Sequence, residues 1–215
     1  MRTQFTLELL ALSNDLTLMS RLAHDATERV GFAITHADLA ATYEVFALDE
    51  QLQKMFAACE SRTMALLALQ APVARDLRHV VTSIQIAGEL SRIGRRTETA
   101  GQYVYRAHPS AVAAPGIVDV LAPMSELAAH SVSRVGDSLA TGRIKADDGA
   151  PDAMEALCAR LRTTLSEADT PAEVAIDIAL LGSQFQRCVD HAARIIRLIH
   201  FQTTGVAPES GSAPD

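Results

Sequence analysis

The chain has 215 residues, a formal net charge of −7, and 48% hydrophobic residues of which few are aromatic. The negative charge argues against a protein whose main partner is a nucleic-acid backbone, which requires a concentrated positive face, and the Leu/Ala/Val-rich composition favours packed helices. Cys59, Cys158 and Cys188 are far apart and form no CxxC pair, so reduced buried thiols are expected rather than disulfides or a zinc site; with no apolar run of ~18 residues and no signal-peptide core, a cytoplasmic protein is expected.

Phe5, Leu9, Leu12, Leu16, Met19, Ala23, Ala26 and Val30 are spaced alternately four and three apart, which winds one apolar seam along a helix running from about residue 4 to 31. Asp38 to Gln70 contains no Gly or Pro and carries Tyr43, Phe46, Leu52, Phe56, Leu66, Leu67 and Leu69, so a second helix about 45 Å long is predicted. Pro72 suits the first turn of a third helix, whose apolar positions Leu77, Val80, Ile84, Ala87, Leu90 and Ile93 carry it to about Arg106.

The segment 108–116, with two prolines and a glycine, reads as a domain linker. Beyond it the pattern repeats: a fourth helix from about 117 to 140 with a Thr141-Gly142 stop, a fifth ending near Glu167, and a sixth opened by Pro171. The sixth has a seam of Val174, Ile178, Leu181, Phe185, Cys188, Ala192, Ile195 and Ile199 and a stop at Gly205. Asp147 to Pro151 interrupts the fifth helix, which is therefore predicted to be shorter than the second. Residues 206–215 are predicted to be a disordered tail.

Residues of the first helix reappear in the fourth. Leu12, Leu16, Met19, Leu22, Ala23, Arg29, Val30 and Gly31 correspond to Ile117, Leu121, Met124, Leu127, Ala128, Arg134, Val135 and Gly136, each 105 positions further on. An echo at half the chain length describes a duplicated unit rather than a solenoid. The predicted fold is all-α: two tandem, structurally similar three-helix bundles, 1–107 and 117–205.

Three stretches carry a resemblance: the opening Met1-Arg-Thr-Gln-Phe with Leu9 and Leu12 behind it, Leu66-Leu-Ala-Leu-Gln-Ala-Pro-Val-Ala-Arg-Asp-Leu-Arg78, and Leu180-Leu-Gly followed by Gln186-Arg-Cys-Val-Asp-His191. In these the chain resembles the PhoU family, regulators of bacterial phosphate uptake built from two three-helix bundles, and the resemblance covers nearly the whole chain. It implies a non-enzymatic, cytoplasmic homodimer that restrains phosphate uptake and phosphate-starvation (Pho regulon) signalling. The implied partners are the ATPase subunit of the Pst phosphate transporter and the phosphate-sensing histidine kinase. Nucleic acid is not a partner, and the membrane is reached only through those proteins.

The family's acidic-x-x-x-Asp motifs, one on the third helix of each bundle, hold iron or zinc clusters in several members. At those positions this chain has Ser91 and Arg95, then Gln186 and Asp190. Residues four apart share a helix face, and an arginine at 95 puts a positive charge where a cation would sit, so no cofactor is expected. Asp190 with the adjacent His191 is the remaining candidate metal pair, although neighbours in sequence point to different sides of a helix. The alternative functions are a diverged paralogue serving another kinase or transporter, and a metal-binding helical-bundle protein.

Other charged residues have plainer readings. Arg92, Arg95 and Arg96 form either an anion site or a mixed-charge face with Glu89–Arg92 and Arg95–Glu98 pairs, the latter favoured. His24 and Glu28, one turn apart, are read as surface residues beside the Ala23/Ala26 seam rather than as ligands. Asp49 and Glu50 are adjacent and do not share a face, and Asp76 suits the positive N-terminal end of the third helix. No Walker loop, GxSxG or HExxH is present, nor the Glu-x-x-His of di-metal bundles.

Overall fold

The computed structural model describes residues 2–144 and 148–206, all-helical apart from connections: α1 (Arg2–His36), α2 (Leu39–Gln70), α3 (Ala74–Ala107), α4 (Pro115–Thr141), α5 (Ala150–Glu167) and α6 (Ala172–Thr204). Asp38 caps α2 by accepting a 2.9 Å bond from the Ala41 amide, which satisfies one of the first-turn donors that a helix cannot pair internally. Gly142 and Gly205 end α4 and α6 in the left-handed region that suits glycine. Helix α5 has 18 residues against 32 for α2; it starts after the left-handed Gly149, where the proline-bearing interruption was placed. Asp147 of that stretch, Met1 and the tail from 207 onward lie outside the described residues.

Two boundaries differ from expectation. Pro72 lies before α3 and not in its first turn, because Ala71 takes a left-handed conformation (φ 41°) and Val73 an extended one. Pro115 and Gly116, assigned to the linker, belong to the start of α4, where a proline lacking its amide hydrogen costs nothing.

Helices α1 to α3 pack on one another, as do α4 to α6, and the two groups join through α1 against α4 and α3 against α6. One buried apolar cluster contains residues from all six helices. The α1–α4 crossing explains why the echo ends on glycine. A Cβ on Gly31 would lie 2.5 Å from Ser125 Oγ, and one on Gly136 would lie 3.2 Å from Ser20 Oγ. Ser20 and Ser125 are themselves 105 positions apart. The two helices therefore cross antiparallel about a local pseudo-twofold axis, each glycine admitting the other's serine.

The seams are buried as the spacing predicts from Leu12 to Val30 and from Ile178 to Ile199, but Tyr43, Leu69, Leu77 and Val174 are exposed. Leu69, Leu77 and Val174 sit in the end turns of their helices. Cys59 and Cys188 are buried, and burial pushes their thiols up to about 11 and about 12; Cys158 is only half-buried.

Candidate functional site

The motif positions of bundle 1 sit on α3 beside α2 and form a closed hydrogen-bond circuit. Arg95 Nη1 donates to Asp49 Oδ2 at 2.9 Å, and Gln53 Nε2 donates to Asp49 Oδ1 at 2.7 Å and to the Ser91 carbonyl at 3.1 Å. Ser91 Oγ donates to Gln53 Oε1 at 2.7 Å. Arg95 thus pairs across to α2 rather than with Glu98 one turn along. Asp49 is buried while Glu50 turns outward to Lys54, as adjacency in a helix requires.

Burial pushes the Asp49 carboxyl above its ordinary value, and the Gln53 hydrogen bond and the Arg95 charge recover only part of this. Its folded form holds a proton to higher pH than the unfolded chain does, so this group's contribution to stability falls as pH rises above 3.8. Asp49→Asn is therefore expected to change stability at pH 7 by less than about 1 kcal/mol. It should also flatten the decline between pH 4 and 7, which urea denaturation at a series of pH values measures.

In bundle 2 the equivalent positions face solvent. Gln186 and Asp190 are exposed, and the Cys158 thiol of α5 donates to Gln186 Oε1 at 3.7 Å. Burial, with the Asp190 and Glu155 charges, raises the Cys158 thiol against the pull of Arg162. The residues present do not fit a multinuclear metal cluster. One motif site offers a single carboxylate already bonded to an arginine, and the other a lone exposed carboxylate beside an amide and a protonated thiol.

Asp190 and His191 are not brought together. His191 points into the seam between α3 and α6, where its Nδ1 donates to Glu89 Oε2 at 2.7 Å. Glu89, 2% exposed, also accepts from Arg92 Nη1 at 2.5 Å and pairs with Arg194 Nε at 3.1 Å. Burial alone would push the Glu89 carboxyl up. The His191 hydrogen bond and the charges of Arg92, His191 and Arg194 outweigh burial and hold it below its ordinary value. This inter-bundle network escaped sequence reasoning beyond the local Glu89–Arg92 pair, because Glu89 and His191 are 102 positions apart. Arg96 also faces α6, where its charge acts on Cys188 and its Nε is buried without a hydrogen-bond partner.

A third feature is an apolar pole. Arg62 of α2 lies 3.6 Å from Asp15 of α1, Ser13 of α1 lies 3.3 Å from His79 of α3, and Arg78 Nε donates to the Gln202 carbonyl of α6 at 3.3 Å. These bonds gather four helix ends, around which Leu7, Leu10, Met64, Leu69, Val73 and Leu77 are exposed. Leu69, just before the Gln-Ala-Pro-Val-Ala-Arg-Asp segment, and Val73 within it are exposed by 78% and 73%, and the left-handed Ala71 and Ala74 flank the latter. Exposed apolar side chains gathered at one end of a helical bundle make it a candidate contact face.

The chain is similar to known proteins along its whole length. The PhoU domain family matches residues 16–104. Across 222 aligned residues it is 33% identical to the phosphate-specific transport system accessory protein PhoU homolog 1 of Mycobacterium leprae, covering 100% of this chain and 99% of that protein. It is likewise 33% identical to PhoU homolog 2 of Mycobacterium tuberculosis, covering 97% of this chain and 100% of the relative. Among solved structures, the regulatory protein PhoU of Streptococcus pneumoniae superposes with a TM-score of 0.81 at 16% identity, over 95% of this chain and 99% of that one. PhoU from Pseudomonas aeruginosa gives 0.72 at 19% identity, over 94% and 100%. The duplicated three-helix unit, the fold and end-to-end identity with the mycobacterial proteins agree: this chain belongs to the PhoU family.

Proposed function

We propose that this protein is an accessory protein of phosphate transport that restrains phosphate uptake and phosphate-starvation signalling when phosphate is plentiful. The observation that carries the reading is identity spread over the full length of the mycobacterial transport accessory proteins, not confined to one segment. It acts in the cytoplasm by docking on the transporter's ATPase subunit and on a phosphate-sensing histidine kinase, stabilising one state of each partner. No helix among the described residues is long and apolar enough to cross a membrane, so membrane association comes through those partners. Nothing in this mode requires bond chemistry or a resident cofactor, and two copies of the chain associate as a homodimer.

The apolar pole of bundle 1 is the face that docks. Leu69→Glu combined with Val73→Glu is expected to leave stability within about 0.5 kcal/mol per substitution, since both side chains are exposed. Deleting the gene should raise phosphate uptake and alkaline phosphatase activity in phosphate-replete cells. Restoring wild type should lower both, and restoring the double variant should not. A second reading is favoured by the Arg95–Asp49 bond in place of the family's paired acids: a diverged paralogue serving another transporter or kinase. Neither output moving on deletion would establish that reading instead.

A further inference from the structure

The metal-motif faces of α3 and α6 keep only Asp190 of their four acids, but a different set of metal-ligating side chains lines the cleft between α1 and α4. On one wall, His24 Nε2 lies 3.7 Å from Glu28 one turn along, and His24 Nδ1 lies 3.3 Å from Asp25. These three offer donor atoms all within 4.8 Å of one another. On the opposite wall of the same cleft, about 480 Å³ in volume, are Glu126 and His130, again one turn apart.

The register of the crossing makes this more than a surface cluster. Gly31 against Ser125 and Gly136 against Ser20 set α1 and α4 antiparallel, which places His130 level with Ala26, midway between His24 and Glu28. Both glycines bring the helix backbones close, and Gly31 and Ser125 themselves line this cleft. His24 is partly sheltered at 26% side-chain exposure, whereas His130 is 62% exposed, with its Nε2 3.5 Å from Asp148 Oδ2.

We propose that this cleft binds one divalent transition-metal ion of the zinc class, chelated by His24 and Glu28 from α1 and completed by His130 from α4, with Glu126 beside it. Imidazole and carboxylate are the donors such ions take, and two histidines with one glutamate form a sufficient protein set when water fills the fourth position. The neighbouring carboxylates of Asp25 and Glu126 add the negative potential that draws a dication into the cleft. The proposal is independent of the regulatory reading above.

The test is calorimetric titration of chelator-stripped, full-length protein with Zn2+ alone, paired with the visible absorption of the Co2+-substituted form. The expected result is one ion per chain and a Co2+ spectrum of tetrahedral character. Affinity should fall at least about tenfold in His24→Ala and His130→Ala, each folded as judged by circular dichroism, with Asp190→Ala unchanged. Glu28→Gln alters an exposed, isosteric side chain and serves as the ligand variant if either histidine variant unfolds; it should show the same loss. Substoichiometric Zn2+ binding, or wild-type affinity in His24→Ala or His130→Ala, overturns the site.

Discussion

Replacing Glu89 with glutamine is expected to lower the unfolding free energy by about 2 to 3 kcal/mol at pH 7, the range for removing one member of a buried charged hydrogen-bond network. Glutamine keeps the shape but leaves His191, Arg92 and Arg194 converging on a neutral amide in the α3–α6 seam. At about 2 to 4 °C per kcal/mol for a chain of this size, the melting temperature should drop by about 5 to 10 °C. Arg92→Ala or Arg194→Ala alone should each cost less than about 1 kcal/mol, because both guanidinium groups are more than half exposed.

The pH dependence of this network separates it from simple loss of packing. The Glu89 carboxyl is held below 4.5 in the folded protein, so its contribution is fully present above the unfolded value and is lost as pH falls through the folded one. Wild type should therefore lose more stability than Glu89→Gln between pH 5 and acid conditions, and their unfolding midpoints should converge as the wild-type carboxyl protonates. Denaturation curves at pH 7, 5 and 3.5 would record it. Asp49, whose carboxyl is shifted the other way by burial, should show the opposite trend.

Gly31→Leu should destabilise the protein by about 1 to 3 kcal/mol through overpacking, although leucine is the better helix former by somewhat less than 1 kcal/mol. The new Cβ would meet Ser125 Oγ at 2.5 Å and Ser125 Cβ at 3.0 Å, contacts that the helices can relieve only by moving apart. Turning the serine side chain removes the first contact and not the second. Ser125→Gly in the same chain should recover part of the loss, giving a favourable coupling in a double-mutant cycle. Gly136→Ala, where the nearest atom is 3.2 Å away, should cost much less, and thermal unfolding of all four variants would measure the asymmetry.

Much of the architecture was legible because helical periodicity is a local property. Leu12, Leu16, Met19, Ala23 and Val30 lie on one face by spacing alone, and the structure buries all five. Where the period misled, the cause was non-local. Leu69, Leu77 and Val174 continue their seams, yet they lie in the end turns of their helices and the tertiary packing leaves them exposed. The α5 interruption and the glycine stops were legible for the opposite reason, since Gly and Pro act through their own backbone constraints.

The candidate sites divide in the same way. That residues 91 and 95, or 186 and 190, share a face follows from helix geometry, and that Asp190 and His191 diverge follows from it too. The partners of those residues do not. Arg95 turned to Asp49, 46 positions away, instead of to the nearer Glu98; His191 found Glu89 across the bundle seam; and His130 came to face His24 and Glu28 only because α4 crosses α1 antiparallel. By itself the sequence determined the helices, their buried faces, the duplication and, through resemblance, the family, because these depend on short-range spacing and on patterns repeated along the chain. The tertiary structure alone decided which charges neutralise one another and which donors share a cleft, because a side chain's electrostatic partner is set by distance in space, and helix crossing makes neighbours of residues that the chain keeps a hundred positions apart.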